Sequence, residues 1–272
     1  MQYRVLKALA LAVFACAIVA GPASAAPSWA PASSATIHPG VQTFTAGAQC
    51  TANFVFYDAS NVYLGQAAHC SGTGTSTDTN GCTSGSLPIG TPVDIGGSKP
   101  GTLVYNSWLT MQSGHESDAN TCQFNDLALV KLDPADVASV NPSIPFWGGP
   151  NGTNASGTQL GDEVESYGNS ELRLGVSTLS PKEGKSLGDA GGGWSHTVYT
   201  ATPGIPGDSG SAFLDATGKA LGILSTVAIA PITGSNGVGD VGKEVAYMQS
   251  HGGPAASIVA GTEAFTGPLS PV

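Results

Sequence analysis

The sequence predicts an all-β protein, on three grounds. Its 38 Gly and 18 Pro make up about a fifth of the 272 residues. They weaken helix interiors by roughly 1 and 3 kcal/mol each, which excludes a helical bundle or coiled coil. A charged fraction of only 10 %, with Thr, Ser, Val and Gly abundant, favours strands and turns, and the apolar runs are short and bounded by turn residues. At this length one large all-β domain or two small ones can bury a core.

Residues 1–25 place Arg4 and Lys7 before an apolar run over 8–20, then a Gly21-Pro22 break and the small residues Ala23-Ser24-Ala25. That order is expected of a removable export signal. The run is too short for a spanning helix, and nothing later reaches ~18 consecutive apolar residues. The expectation is a secreted, extracellular protein with no membrane contact once the signal is gone. Removal takes two of the nine basic residues and no acidic ones, leaving seven Lys+Arg against 19 Asp+Glu and a formal charge of −12. That sign repels phosphate backbones and anionic lipid, so nucleic acid and membrane are poor partners.

Residues 26–48 are rich in Ala, Pro, Ser and Thr without Lys or Arg, and read as an extended lead-in or short propeptide. A first barrel-forming region, 49–140, is expected to hold strands at 51–57, 62–65, 92–95, 101–105 and 127–132. Asp58-Ala59-Ser60-Asn61 turns the first into the second. The stretch 70–85 reads as loop. Residues 141–157, with three Pro and four Gly, have the composition of a surface connection between halves. Beyond them, 158–272 carries strand signals at 163–167, 172–179, 197–200, 211–214, 220–227 and 244–248. Two groups of short strands joined by a linker suggest two β-barrels or a sandwich pair.

Of the five cysteines, Cys16 leaves with the signal. In an exported chain the remaining Cys50, Cys70, Cys82 and Cys122 are expected to form two disulfides. Three pairings are possible; Cys50 with Cys70 and Cys82 with Cys122 each join sequence neighbours within one half. Each closure contributes about 3 kcal/mol. No Cys-x2-Cys or His-x3-His spacing supports zinc.

Three local patterns carry chemistry. Ala67-Ala68-His69-Cys70 ends a strand with a histidine beside a cysteine, Asn125-Asp126-Leu127-Ala128-Leu129 opens a strand with an acid, and Gly207-Asp208-Ser209-Gly210-Ser211 brackets a serine with glycines. Each alone is ordinary turn or cap chemistry. In the order His, Asp, Ser, separated by 57 and 83 residues, they resemble the chymotrypsin-like secreted serine endopeptidases of bacterial type over most of residues 50–250. The resemblance implies two six-stranded antiparallel β-barrels with the active site at their interface. It also implies a catalytic triad of His69, Asp126 and Ser209, and an oxyanion hole from the N–H groups of Gly207 and Ser209. The roles are physically coherent: a serine hydroxyl is a weak nucleophile without an adjacent base, and an imidazole near pKa 6.5 can accept and return its proton. The chemistry requires no cofactor.

Asp208 matches a buried family acid that needs a cation. No Lys or Arg lies between 26 and 50 to give a tryptic activation site; Arg173, the only arginine left in the mature chain, is the candidate partner, its alternative being a surface place on a hairpin. By the same resemblance the substrate-binding residues are Pro203 at the pocket floor and Ser225, Thr226 and Val227 along one wall and edge strand. Pro203 offers no carboxylate for a basic side chain, Leu224 stands where glutamate-selective relatives carry histidine, and Val227 replaces a glycine. Small or medium neutral residues before the scissile bond are expected. Asp240 would reverse that expectation if it entered the pocket; otherwise it reads as a solvated turn residue. The expected partner is a polypeptide, and the chain is expected to act as a monomer. Gln66, where the family has threonine, together with Val227 and the missing activation site, leaves a catalytically silent binding or adhesion module as one alternative. An esterase using the same triad is another.

Overall fold

In the computed structural model, which describes residues 27–75, 77–227 and 233–269, the strands form two antiparallel sheets. The first contains β1 (Gln42–Thr45), β2 (Ala48–Thr51), β3 (Val55–Tyr57), β4 (Val62–Ala67), β5 (Pro92–Asp94), β6 (Gly101–Asn106), β7 (Leu127–Lys131) and β14 (Ser257–Ile258). The second contains β8 (Leu160–Tyr167), β9 (Pro181–Ala190), β10 (Ser195–Thr200), β11 (Ala212–Asp215), β12 (Ala220–Val227) and β13 (Asn236–Asp240). The six-stranded sheet closes into a barrel in the order β10-β13-β12-β11-β8-β9, while the other is eight-stranded, β14-β3-β4-β7-β6-β5-β1-β2. The all-β two-barrel expectation holds, except that the first sheet has eight strands rather than six, one of them, β14, from the chain's C-terminal end. The export-signal segment 1–25 lies outside the described residues. No described helix is long and apolar enough to cross a membrane.

Side-chain alternation explains how the halves join. In β7, Ala128 and Val130 pack in a core inside the first sheet, while Leu127 and Leu129 face a second core shared with Leu214, Ile223, Val241 and Met248. A strand buried on both faces reads as a continuous apolar run, which is why 127–132 was legible. The second barrel fills its interior with Val164, Val198, Phe213, Leu221, Leu224 and Val238. The shared core fixes the seam between the halves, and the candidate site lies along it.

Several elements depart from the sequence reading. The paired strands begin at Gln42, within the stretch read as lead-in, and Ile37 is fully buried in the first core with Trp29 against it. Residues 172–179 are not a strand but two 3₁₀ turns, Glu171–Arg173 and Ser177–Leu179, separated by Leu174 at φ +52°. The strand lies just beyond, at β9, whose Lys, Glu, Gly and Asp conceal it and whose ladders to β8 and β10 hold it. Residues 244–248 belong to helix α3, since α1 (Ser107–Ser113) and α2 (Ala119–Phe124) are followed by α3 (Val241–Ser250). The Asp240 side chain accepts from Lys243 N as N-cap, and Val241, Glu244, Tyr247 and Met248 bury at helical spacing. Over five residues that face mimics alternation.

One buried group in this frame is a carboxyl. Glu165 on β8 is fully buried with no hydrogen-bond partner on either oxygen, and pairs across the ladder with Glu183. Burial, with Glu183, Glu163 and Asp215 nearby, pushes its pKa up to about 8. The fold therefore holds a proton that the unfolded chain releases near 4.5, and stability falls as pH rises from there through about 8. Glu165→Gln is expected to stabilise the protein by about 2 kcal/mol at pH 9 and to change little at pH 5. Urea unfolding at the two pH values decides, and equal effects would contradict a protonated Glu165.

Candidate active site

A cleft of about 690 Å³ runs along the seam and is lined by His69, Asp126, Gly207 and Ser209, with Ser225, Thr226 and Val227 on one side. His69 sits in a 3₁₀ turn, Ala68–Ser71, at the end of β4. Cys70 in that turn is bonded to Cys50 of β2, and Cys82 is bonded to Cys122 of α2, the pairing expected from the sequence. Cys50, His69 and Cys70 bring metal-type ligand atoms close together, but a disulfide has no thiolate to offer a metal.

Asp126 lies immediately before β7 and accepts three hydrogen bonds. His69 Nδ1 donates at 2.6 Å, His69 N at 2.9 Å and Ser225 Oγ at 2.6 Å. Two of these fix the ring's plane and tautomer, leaving Nε2 without a proton in the neutral form. Burial disfavours a charged His69, but Asp126 outweighs it and holds the imidazole pKa above 6.5. Ser209 lines the same cleft, and no hydrogen bond joins its hydroxyl to His69. Catalytic hydrogen bonds are often long without substrate.

The serine turn is held by its own backbone. Asp208 N donates to Ile205 O, Gly210 N to Leu224 O and Ser211 N to Asp208 O, while Gly207 N and Ser209 N donate to no described residue. Gly207 adopts φ +94°, and a Cβ there would run into Gln49 Oε1. Its carbonyl is tied down by Gln49 Nε2 at 3.0 Å and Thr51 Oγ1 at 2.8 Å. A side chain at 207 would be both strained and obstructed.

Asp208 is fully buried and does meet Arg173, at 2.6 Å. It also meets Lys182 Nζ at 2.9 Å, a partner the sequence did not suggest. Lys182 sits in a polar strand where a solvated lysine is the ordinary expectation, yet it is wholly buried, and burial lowers its pKa despite Asp208. Both cations also donate to Pro203 O at 3.3 Å. Pro203 is absent from the cleft lining, where Ile205, Pro206 and Leu224 are found instead. The residue six before the serine is spent on the buried ion cluster.

Asp240 neither enters the cleft nor forms a solvated turn. Besides capping α3, it faces His196 Nε2 at 3.1 Å, while Asp189 faces His196 Nδ1 at 2.7 Å. The neighbour of Thr226 and Gly204 on that side is Asn236, which carries no charge. Gln66 is buried and donates to Thr45, a packing role. His196 is fully buried with an acid on each nitrogen. Burial opposes its charge, but hydrogen bonds to Asp240 and Asp189 prevail and raise its pKa above 6.5. Its contribution is therefore fully present below about 6.5 and lost as pH rises through the folded value. His196→Gln is expected to destabilise by about 2 kcal/mol more at pH 5.5 than at pH 9 in thermal unfolding; equal losses would mean a neutral ring.

No protein-family model matches the chain, and no curated protein does. Solved structures do. Protease A of Thermobifida fusca aligns at TM-score 0.52 and 16 % identity, covering 83 % of this chain and 99 % of that one. A glutamic-acid-specific serine protease aligns at TM-score 0.51 and 18 % identity, covering 82 % and 100 %. At such identities the likeness establishes the fold, which is the two-barrel fold of the bacterial chymotrypsin-like serine proteases.

Proposed function

We propose that this chain is a secreted serine endopeptidase, acting through Ser209, His69 and Asp126, with Gly207 N and Ser209 N as oxyanion donors. The observation that carries the reading is the Asp126–His69 pair, 2.6 Å apart, sharing one cleft with Ser209. His69 Nε2 takes the serine proton as Oγ attacks the scissile carbonyl, and Asp126 stabilises the imidazolium that forms. The carbonyl oxygen, now negative, is held by the two free N–H groups, donors already in place before charge develops. His69 then gives its proton to the leaving amine, and water repeats the sequence on the acyl-enzyme.

An extended peptide can pair with the edge strand Ser225, Thr226 and Val227, which holds the scissile bond at Ser209 independently of sequence. The engagement of Asp240 by His196 supports neutral over basic residues before that bond. Val227 at the lip, half-exposed, and Leu224 in the wall support small or medium ones. The two disulfides and the acidic charge fit an extracellular setting.

Incubation with casein and a fluorophosphonate tests the reading. Hydrolysis and labelling at Ser209, both lost in Ser209→Ala, are expected. Absence of both in correctly oxidised protein would leave a silent binding module. Turnover of short esters without any of peptides would leave an esterase.

A further inference from the structure

The backbone of Asp126 is anchored by a side chain from far along the chain. Asp126 N donates to Glu244 Oε1 at 2.8 Å, across 118 residues, from the first turn of α3. Glu244 is fully buried, its Oε2 has no hydrogen-bond partner, and it forms no ion pair among the described residues. Facing it are acids and a phenol: Asp126 ahead of β7, Asp240 at the helix cap and the buried Tyr105 on β6. The sheet is shaped to admit the carboxyl, because a Cβ at Gly239 would lie 2.6 Å from Oε1.

We propose that Glu244 is a positioning residue for the triad: a neutral carboxylic acid whose carbonyl oxygen holds the Asp126 backbone behind the His69 ring. An ionised Glu244 would be an uncompensated buried anion between two carboxylates, which costs far more than taking up a proton. Burial, with Asp126 and Asp240 close by, pushes its pKa well above the carboxylate range. The neutral form supplies an acceptor for the backbone without adding a second negative charge beside the triad carboxylate. This inference rests on the triad reading above.

The test compares Glu244→Leu, which removes the acceptor, Gly239→Ala, which pushes the carboxyl away, and Glu244→Gln, which keeps a neutral acceptor. The readouts are kcat and KM on a peptide substrate and the His69 titration midpoint by NMR. Leu is expected to lower kcat about 10- to 100-fold at similar KM and to lower the midpoint by about half a unit or more, as the Asp126 carboxylate loosens against the ring. Gly239→Ala should move both in the same direction, and Gln should restore them. A midpoint that falls in Gln as far as in Leu would mean an ionised Glu244 and overturn the proposal. So would a folded Leu variant with kcat and midpoint unchanged. If Leu fails to fold, Gly239→Ala decides by the same two readouts. Failure of the protease reading is separate: the wild type would then neither turn over substrate nor label at Ser209, while the His69 midpoints would still judge Glu244.

Discussion

Asp126→Asn is expected to lower kcat on a peptide substrate about 10⁴-fold with the fold retained. The wild-type Oδ2 accepts from both His69 Nδ1 and Ser225 Oγ at 2.6 Å, and Oδ1 accepts from His69 N at 2.9 Å. An amide has only one acceptor oxygen. Placed toward His69 N, it leaves an NH2 facing Nδ1, which must then become the acceptor. The ring proton moves to Nε2, the nitrogen proposed to receive the serine proton, and the imidazolium loses its counter-charge. Because the exchange is isosteric and Asp126 N still reaches Glu244, stability should change far less than kcat. Steady-state kinetics beside urea unfolding check this. Activity within tenfold of wild type would remove the carboxylate from the mechanism, and with it the case for His69 as base.

The parts of this site legible in the sequence were those whose chemistry is written in neighbouring residues. Gly207 to Ser211 declares a strained turn, and Ala67 to Cys70 and Asn125 to Leu129 each join a functional side chain to a strand end. Both disulfides join the sequence neighbours among an even count of cysteines. What escaped was long-range and polar. Lys182 looks like a solvated lysine until its strand closes over Asp208. Glu244 looks like an ordinary polar residue of an expected strand until α3 forms and the seam brings it under Asp126. Asp240 fell between two expectations because its partner, His196, lies on a strand 44 residues away. In β9 a polar sequence concealed a strand that its ladders enforce, while the exposed apolar residues Leu172, Leu174 and Val176 suggested one where turns are found.

The buried ion cluster allows a sharper distinction among its members. Asp208→Asn is expected to cost about 3–5 kcal/mol, because two buried cations lose their only carboxylate. The same exchange should lower kcat about 100-fold. Asp208 accepts from Ser170 N and Ile205 N, each at 3.1 Å, so its carboxylate sets the path of the backbone through Gly207, one of the proposed oxyanion donors. Lys182→Met should cost about 1 kcal/mol or less. Arg173 still neutralises Asp208 at 2.6 Å, the trio loses its surplus positive charge, and an ammonium whose burial is unfavourable disappears. Arg173→Met should fall between them, since the remaining Lys182 gives up its proton more readily than an arginine and so makes a weaker partner. Urea unfolding and kcat on the three variants would rank them Asp208, Arg173, Lys182. A Lys182 variant as damaged as the Asp208 variant would show that both cations are needed to hold the carboxylate, and that the surplus charge is compensated by the carbonyls of Thr202 and Pro203 on which Lys182 also rests.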